Sequence, residues 1–232
     1  MLKKIIVFIP IFSLVLSNYF LSHAEINAYE YAGEKIVYVL KPLGGRVEYN
    51  DLGMVEFQGR SVKLTTFKTE VLGFTDTEKI YSAPDTLLPI KVEREVRWFG
   101  KENIIEEYDQ KNFTVTVTKL KGKKKIKEQI LKGNGSIHNA ILLAFYPRDI
   151  PNLDIGWSFD VRLPNKFEAK LVSIDNIKVA GRKFKAYHFT SIPNKFEIWI
   201  NKDNPRIPLK IKGKGSFNYT LLMKEYSPGE SK

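Results

Sequence analysis

Short runs in which apolar and polar residues alternate make up most of the chain after residue 25. This period of two, with many β-branched and aromatic residues, is typical of half-buried β-strands. Residues 88–98 are representative, with Leu88, Ile90, Val92, Arg94, Val96 and Trp98 on one face. Gly, Asn, Asp and Pro separate the runs at intervals that favour an antiparallel meander or barrel. In the second half of the chain the pattern predicts strands at 167–174, 183–190, 196–201, 207–212 and 217–224.

One segment departs from this alternation. Residues 136–150 carry apolar side chains at 137, 140, 141, 144 and 145, which is a helical spacing. Ser136 is a suitable N-cap, and Pro147 is expected to end the helix. We therefore predict an all-β fold, mainly antiparallel: a single curved sheet, an open or half barrel, with one inserted helix near 136–146. Residues 25–232 are expected to form one domain.

Residues 195–211 predict a β-hairpin with an unusual composition. Phe196, Ile198 and Ile200 share one face, and Trp199 lies on the other. Residues 202–205 form the turn, and Pro208 removes a backbone donor, which favours an edge or a bulge at that position. The hairpin is interpreted as scaffold and not as catalytic chemistry.

The first 24 residues have the organisation of a secretory signal peptide. Lys3 and Lys4 precede an apolar stretch over residues 5–20, and Ser22 and Ala24 are small residues at a cleavage site. A retained membrane anchor is the alternative. The chain has no cysteine, which excludes disulfides, thiolate chemistry and a lipidated cysteine. We expect an exported, periplasmic protein with no stable transmembrane span after cleavage.

The formal net charge is +11, to which Lys3 and Lys4 contribute two charges. In an exported protein this excess indicates an anionic lipid or another anionic envelope component as partner rather than nucleic acid. The alternative is that the charge mainly keeps the surface soluble, which the predominance of lysine over arginine favours. Lysines concentrate in residues 119–132, which predict a hairpin tip. They either protect a sheet edge from aggregation or contact an anionic surface. The candidates for that contact are Lys121, Lys123, Lys124, Lys125 and Lys127.

No catalytic or metal-binding motif is present. His138 and His188 lack the spacing of a zinc pair, and no serine-nucleophile motif occurs. Glu93, Glu106 and Asp109 belong to carboxylate-rich stretches, which the sequence cannot place across a cleft. Glu93 alternates with Lys91 and Arg97 on a polar strand face, which indicates solvated charge pairing. We expect no enzymatic activity, no metal and no cofactor.

The three tryptophans, Trp98, Trp157 and Trp199, all fall in strands or at strand entries. They are candidates for lining an apolar ligand cavity. The alternative is that they are ordinary core residues.

Four stretches resemble, in the same order, a family of exported bacterial proteins, the domain of unknown function 3108. They are "GEKIVYVL", "LLPIKVEREV" with "EEYD", "LDIGWSFDV" and "EIWINKDNPRIPLKIK". The resemblance spans residues 33–226. The last stretch is also similar, more loosely, to a strand pair of periplasmic lipoprotein carriers, in which a curved antiparallel sheet wraps a hydrophobic cavity closed by helices. The resemblance implies no activity and no site residues, because the family's role is uncharacterised.

These features favour a soluble exported binding protein that holds a lipid, an acyl chain or another envelope component in a concave sheet. A structural or interaction module of an envelope complex is the alternative. The two differ in the interior of the sheet, which is an open apolar cavity in the first and a filled core in the second. The ligand, the protein partner and the oligomeric state stay open.

Overall fold

The structure is a computed structural model that describes residues 31–215 and 218–229. The predicted signal peptide, residues 1–24, lies outside the described residues. The described chain contains fourteen strands: β1 Lys35–Lys41, β2 Gly45–Phe57, β3 Arg60–Val71, β4 Phe74–Ser82, β5 Pro89–Arg97, β6 Lys101–Asp109, β7 Thr114–Lys121, β8 Lys124–Lys132, β9 Ser158–Arg162, β10 Lys166–Val179, β11 Arg182–Ile192, β12 Phe196–Asn201, β13 Pro208–Gly213 and β14 Tyr219–Ser227.

All fourteen strands form one antiparallel sheet in the order β8-β7-β6-β5-β4-β3-β2-β1-β14-β13-β12-β11-β10-β9. Two meanders, β1–β8 and β9–β14, are joined where β1 pairs with β14. The sheet does not close into a barrel, which confirms the predicted all-β open or half barrel. Among the described residues, β8 and β9 are the edge strands of this sheet.

The inner face of the sheet is apolar because alternate residues of paired strands lie in register. Tyr38 of β1 pairs with Val47 of β2 and with Met223 of β14, and all three are buried. In the second meander, Ile198 of β12 pairs with Phe189 of β11 in the same way. Burial of these side chains against the segment that crosses the inner face stabilises the fold at roughly 25 cal/mol per Å² of apolar surface.

That crossing segment is residues 133–157, called here the mid-chain segment. The helix predicted near 136–146 is present as two consecutive short 3₁₀ helices, Leu142–Ala144 and Tyr146–Asp149. Ser136 is not the cap: Asn139 Oδ1 accepts hydrogen bonds from the backbone N–H groups of Ile141 and Leu142. Within the described part of the chain, no helix is long and apolar enough to cross a membrane.

Polar contacts fix the mid-chain segment at both ends. The Gln110 side chain donates to the carbonyl of Ile137 at 2.9 Å and accepts from its N–H at 2.9 Å. At the other end, Arg148 forms a buried bidentate ion pair with Glu34, with nitrogen–oxygen distances of 2.7 and 2.5 Å. Between these points the ring of Phe145 stacks on Tyr49 at 4.1 Å. The segment is therefore held as a fixed roof over the inner face.

The hairpin predicted at residues 195–211 is formed by β12 and β13 of the second meander. β12 spans Phe196–Asn201, as expected, and β13 begins at Pro208. The register of this pair shifts between Trp199 and Ile200, opposite Pro208, so the proline lies at an irregularity as its missing donor requires.

Candidate ligand-binding cavity

A cavity of about 350 Å³ lies between the sheet and the mid-chain segment and is partly open to solvent. Its floor comes from the five strands β1–β5 of the first meander and from the C-terminal strands β13 and β14, and Ala140, Ile141 and Phe145 form its roof. The floor residues are mostly apolar or aromatic: Tyr38, Leu40, Val47, Tyr49, Phe67, Thr69, Glu78, Arg94, Ile211, Tyr219 and Leu221. The volume falls within the roughly 300–1,000 Å³ range of small-molecule sites.

The charged side chains in the cavity wall are Glu78 of β4 and Arg94 of β5. The register places these two residues opposite each other. Arg94 gives its strongest contacts to Asp76, with Nε 2.8 and 2.9 Å from the two carboxylate oxygens and Nη2 also bonded to Oδ2. Glu78 is left 3.6 Å from Arg94 Nε, beyond hydrogen-bond distance. The guanidinium of Arg94 is therefore hydrogen-bonded to Asp76 and has only a longer ionic contact with Glu78.

Burial raises the pKa of Glu78 to about 7; Arg94 opposes this rise, and Asp76 and Glu106 add to it. Removing a carboxylate from water disfavours its charged form, and neighbouring carboxylates have the same effect. A group with this pKa donates a hydrogen bond below pH 7 and accepts one above it. Perturbed acids in a cleft are typical of functional sites.

Glu106 connects this cluster to the roof of the cavity. The hydroxyl of Tyr108 donates to Glu106 Oε2 at 2.5 Å, and the same tyrosine shares a side-chain hydrogen bond with Asn139. Asn139 Oδ1 in turn accepts a hydrogen bond from the backbone N–H of Ile141, directly before the first 3₁₀ helix. A change in the charge of the acidic cluster is therefore linked through three side chains to the segment that covers the cavity.

The arrangement suits an amphiphilic molecule. The apolar walls accommodate a hydrocarbon chain, and the Glu78–Arg94 end offers both a hydrogen-bond acceptor and a cationic donor to a polar group. In the described residues, no group of three or more His, Asp or Glu side chains is arranged to hold a metal ion.

A second cavity, of about 630 Å³, lies against Arg148 and Arg206 at the opposite end of the strands. Several of its side-chain donors are bonded within the fold. Arg148 is paired with Glu34, and Arg206 Nη1 donates to the carbonyls of Pro147, Arg148 and Ile150. This cavity is larger but more polar, so the 350 Å³ cavity is the better ligand site.

None of the three tryptophans predicted to line a cavity lines this one. Trp98 was assigned to the inner face by alternation, but β5 ends at Arg97, and Trp98 lies in the β5–β6 turn, 62% exposed. Trp157 is half-buried at the β9 edge, where it packs on Phe159 and Phe189.

Trp199 is on the outer face and only 5% exposed. Its ring stacks on His188 at 4.1 Å, Lys210 Nζ lies 3.8 Å from its centroid, and Nε1 donates to Asp175 at 2.8 Å. Burial acts to raise the pKa of Asp175, but hydrogen bonds from Trp199 and Ser173 outweigh it and lower that pKa. Trp199 is thus buried on the outer face by its contacts with His188, Lys210 and Asp175.

The residues predicted to contact an anionic surface all lie on the β7–β8 hairpin, at the free edge of the sheet, and all are exposed: Lys121, Lys123, Lys124, Lys125 and Lys127. Lys125 pairs with Glu128 at 2.9 Å. Their contact with an anionic surface stays a prediction.

The carboxylates considered from the sequence do not come together. Glu93 pairs with Lys91 at 2.8 Å, and Asp109 caps the β6–β7 turn through the backbone N–H groups of Lys111 and Asn112. Glu106 alone joins the acidic cluster. Sequence reasoning missed Asp76 and Glu78. The signal for them was Arg94, a charged residue on an otherwise apolar strand face, which requires a buried partner on a neighbouring strand.

The histidines have structural contacts. The ring nitrogen Nδ1 of His138 accepts a hydrogen bond from the backbone N–H of Arg162 at 3.1 Å. The backbone N–H of His138 donates to the carbonyl of Arg162 at 2.8 Å. Burial lowers the pKa of His138 to about 4, and Arg162 adds to that effect. This exchange attaches the mid-chain segment to the β9 edge.

Comparison with known proteins gives one family. A family model described as "Protein of unknown function (DUF3108)" matches residues 32–224, from just before β1 into β14. Among solved structures, the chain is similar to the "Crystal Structure of Beta-barrel-like Protein of Domain of Unknown Function DUF1849 from Brucella abortus". The TM-score is 0.49 at 8% identity, covering 88% of this chain and 100% of that one. No curated protein matched.

Proposed function

This chain belongs to the DUF3108 family of proteins of unknown function, and we propose that it is a binding protein for an amphiphilic molecule such as a lipid or acyl chain. The observation that carries the proposal is the apolar cavity between the sheet and its roof, with Glu78 and Arg94 at one end. The ligand's hydrocarbon part lies against Leu40, Phe67 and Leu221, and its polar group faces the charged end.

We place this function outside the cytoplasm. The support is the sequence: the predicted signal peptide and the excess of lysine. In that compartment, a monomeric acyl chain or lipid needs a carrier because its apolar surface is poorly solvated by water.

The experiment measures binding of a dansyl-labelled fatty acid to the purified protein. Thr69 of β3 faces the cavity, so Thr69→Phe fills part of it, and we expect affinity to fall about tenfold or more. The matched control is Thr77→Phe on the outer face of β4, which should bind as the wild type does. Equal binding by the wild type and Thr69→Phe would refute the assignment of the ligand to this cavity.

A structural module is the second candidate, and the free β8 edge is the observation that favours it. A strand with unpaired backbone groups is a template for another chain. This function predicts one stoichiometric protein partner, lost on replacing Ile130 with proline, and no bound small molecule.

A further inference from the structure

One rim of the half barrel carries four consecutive turns. In an antiparallel meander every second turn lies at the same end, so the β1–β2, β3–β4, β5–β6 and β7–β8 turns share a rim. We call residues 42–44, 72–73, 98–100 and 122–123 the hairpin rim. Neighbouring turns are separated by two strand spacings, about 10 Å.

The hairpin rim exposes large apolar side chains. Leu72 is 82%, Trp98 is 62% and Phe99 is 97% exposed. Trp98 stacks on Phe99 at 5.2 Å and meets Phe74 edge-on at 6.0 Å, so the β3–β4 and β5–β6 turns form one patch. A contiguous exposed apolar patch is typical of an interaction surface, whereas single scattered apolar residues are common on any protein surface.

Turn chemistry does not explain Leu72. Its φ is +48°, followed by Gly73 at +80°, the backbone of a two-residue hairpin turn in which Asn-Gly is strongly preferred. An exposed leucine in the left-handed region costs conformational energy and buries nothing in the fold. Its apolar side chain is therefore better explained by a surface outside the molecule.

The rim is also basic. No residue of its four turns is acidic, while Lys123 lies in the β7–β8 turn with Lys121 and Lys124 directly beside it. These three lysines are exposed and form no ion pair with any described residue. The opposite rim has a different charge pattern, with Asp85 and Asp203 in its turns.

We propose that the hairpin rim docks on an anionic lipid bilayer. Trp98 and Phe99 enter the interfacial layer, where amphipathic aromatic rings are favoured, and Leu72 follows. The lysines contact headgroup phosphates while their stems cover the apolar patch. Leu40 and Thr69 of the cavity lie at the rim end of their strands. The proposal does not require the cavity to hold a ligand.

The test is co-sedimentation of the purified protein with vesicles of equimolar phosphatidylglycerol and phosphatidylethanolamine, against phosphatidylcholine vesicles. The wild type should bind the anionic vesicles more tightly, and added salt should weaken binding. Trp98→Ser with Phe99→Ser should reduce the partition coefficient by about tenfold or more. Replacing Lys121, Lys123 and Lys124 with Gln should reduce it on the order of 100-fold.

Matched controls lie on the opposite rim. Phe113→Ser and Lys111→Gln should bind vesicles as the wild type does. Leu72→Asn keeps the turn and should weaken vesicle binding without lowering the melting temperature, which separates docking from folding. Brominated lipids should quench the fluorescence of the wild type more than that of Trp98→Phe.

The proposal is overturned by any of three results: wild-type binding that does not distinguish the two vesicle types, rim variants that bind like the wild type, or a protein partner that requires Trp98 and Phe99 in a chain that binds no vesicles. Thr69→Phe should still bind vesicles, and the rim variants should still bind the dansyl fatty acid. Failure of docking and failure of the cavity assignment are thus separate outcomes.

Discussion

In the wild type, ionisation of Glu78 should lower the free energy of unfolding as the pH rises from about 4.5 to about 7, and Glu78→Gln should abolish this loss. Burial beside Asp76 and Glu106 raises the pKa of Glu78 from an ordinary value of 4.5 to about 7 in the folded state. The folded chain therefore holds this proton more tightly than the unfolded chain does. The stability associated with the proton is fully present below about pH 4.5 and is lost as pH rises to about 7.

The magnitude follows from the two pKa values. Each pKa unit corresponds to about 1.4 kcal/mol, so the difference between 4.5 and about 7 is on the order of 3 kcal/mol. The Glu78 side chain is 16% exposed, so solvent screening reduces this value little. Glutamine keeps the shape and the hydrogen-bonding capacity of a protonated glutamate without ionising.

The assay is urea unfolding of the wild type and Glu78→Gln, followed by tryptophan fluorescence at pH 4.5 and pH 8. The stability of the variant relative to the wild type should increase by about 3 kcal/mol between these pH values. Glu93→Gln, on the outer face of the adjacent strand, is the matched control and should show no such increase. A difference between Glu78→Gln and the wild type that is the same at both pH values would refute the reasoning.

Two further predictions concern buried polar contacts. Arg148→Ala leaves the Glu34 carboxylate buried without its partner, and the free energy of unfolding should fall by about 3–5 kcal/mol in urea titrations, whereas a loss below 1 kcal/mol would contradict the pairing. Trp199→Phe removes the indole N–H bond to Asp175 but keeps the stacking on His188, and should cost about 1 kcal/mol at neutral pH. An unchanged midpoint in thermal and urea melts would show that the bond contributes nothing.

The strand framework was predictable because its signals are local. The first and last residues of β12 agree with the predicted bounds, because Pro193 and Asn194 precede the strand and the turn residues 202–205 follow it. Alternation also assigned Ile198 and Trp199 to opposite faces. Strand bounds and strand faces depend mainly on residues that are near in sequence, so they can be predicted from the sequence alone.

The mid-chain segment was predicted less well because its structure depends on the sheet. The apolar spacing at 137–145 indicated a longer helix from Ser136. In the structure, the polar groups before Leu142 are bonded instead to Gln110, Arg162 and Asn139. These partners lie on the β6–β7 turn, at β9 and within the segment itself. Long-range bonding therefore replaced the first turn of the predicted helix.

The cavity could not be located from the sequence, because it depends on the register of strands far apart in the chain. Glu78 meets Arg94 only through the β4–β5 pairing, and Leu221 joins Leu40 only because β14 returns to β1. Arg94 on an apolar face was a usable signal, since it required a carboxylate opposite. Trp98 was misplaced because alternation was extended one residue beyond the end of β5.

The central claim is that the 350 Å³ cavity holds an amphiphilic molecule, and native mass spectrometry of the protein purified from its own cells tests it most directly. We expect the wild type to carry one equivalent of a lipid or acyl compound, and Thr69→Phe to carry little or none. A wild-type protein that is entirely free of such a compound, and takes up none when supplied with envelope lipid extract, would contradict the account.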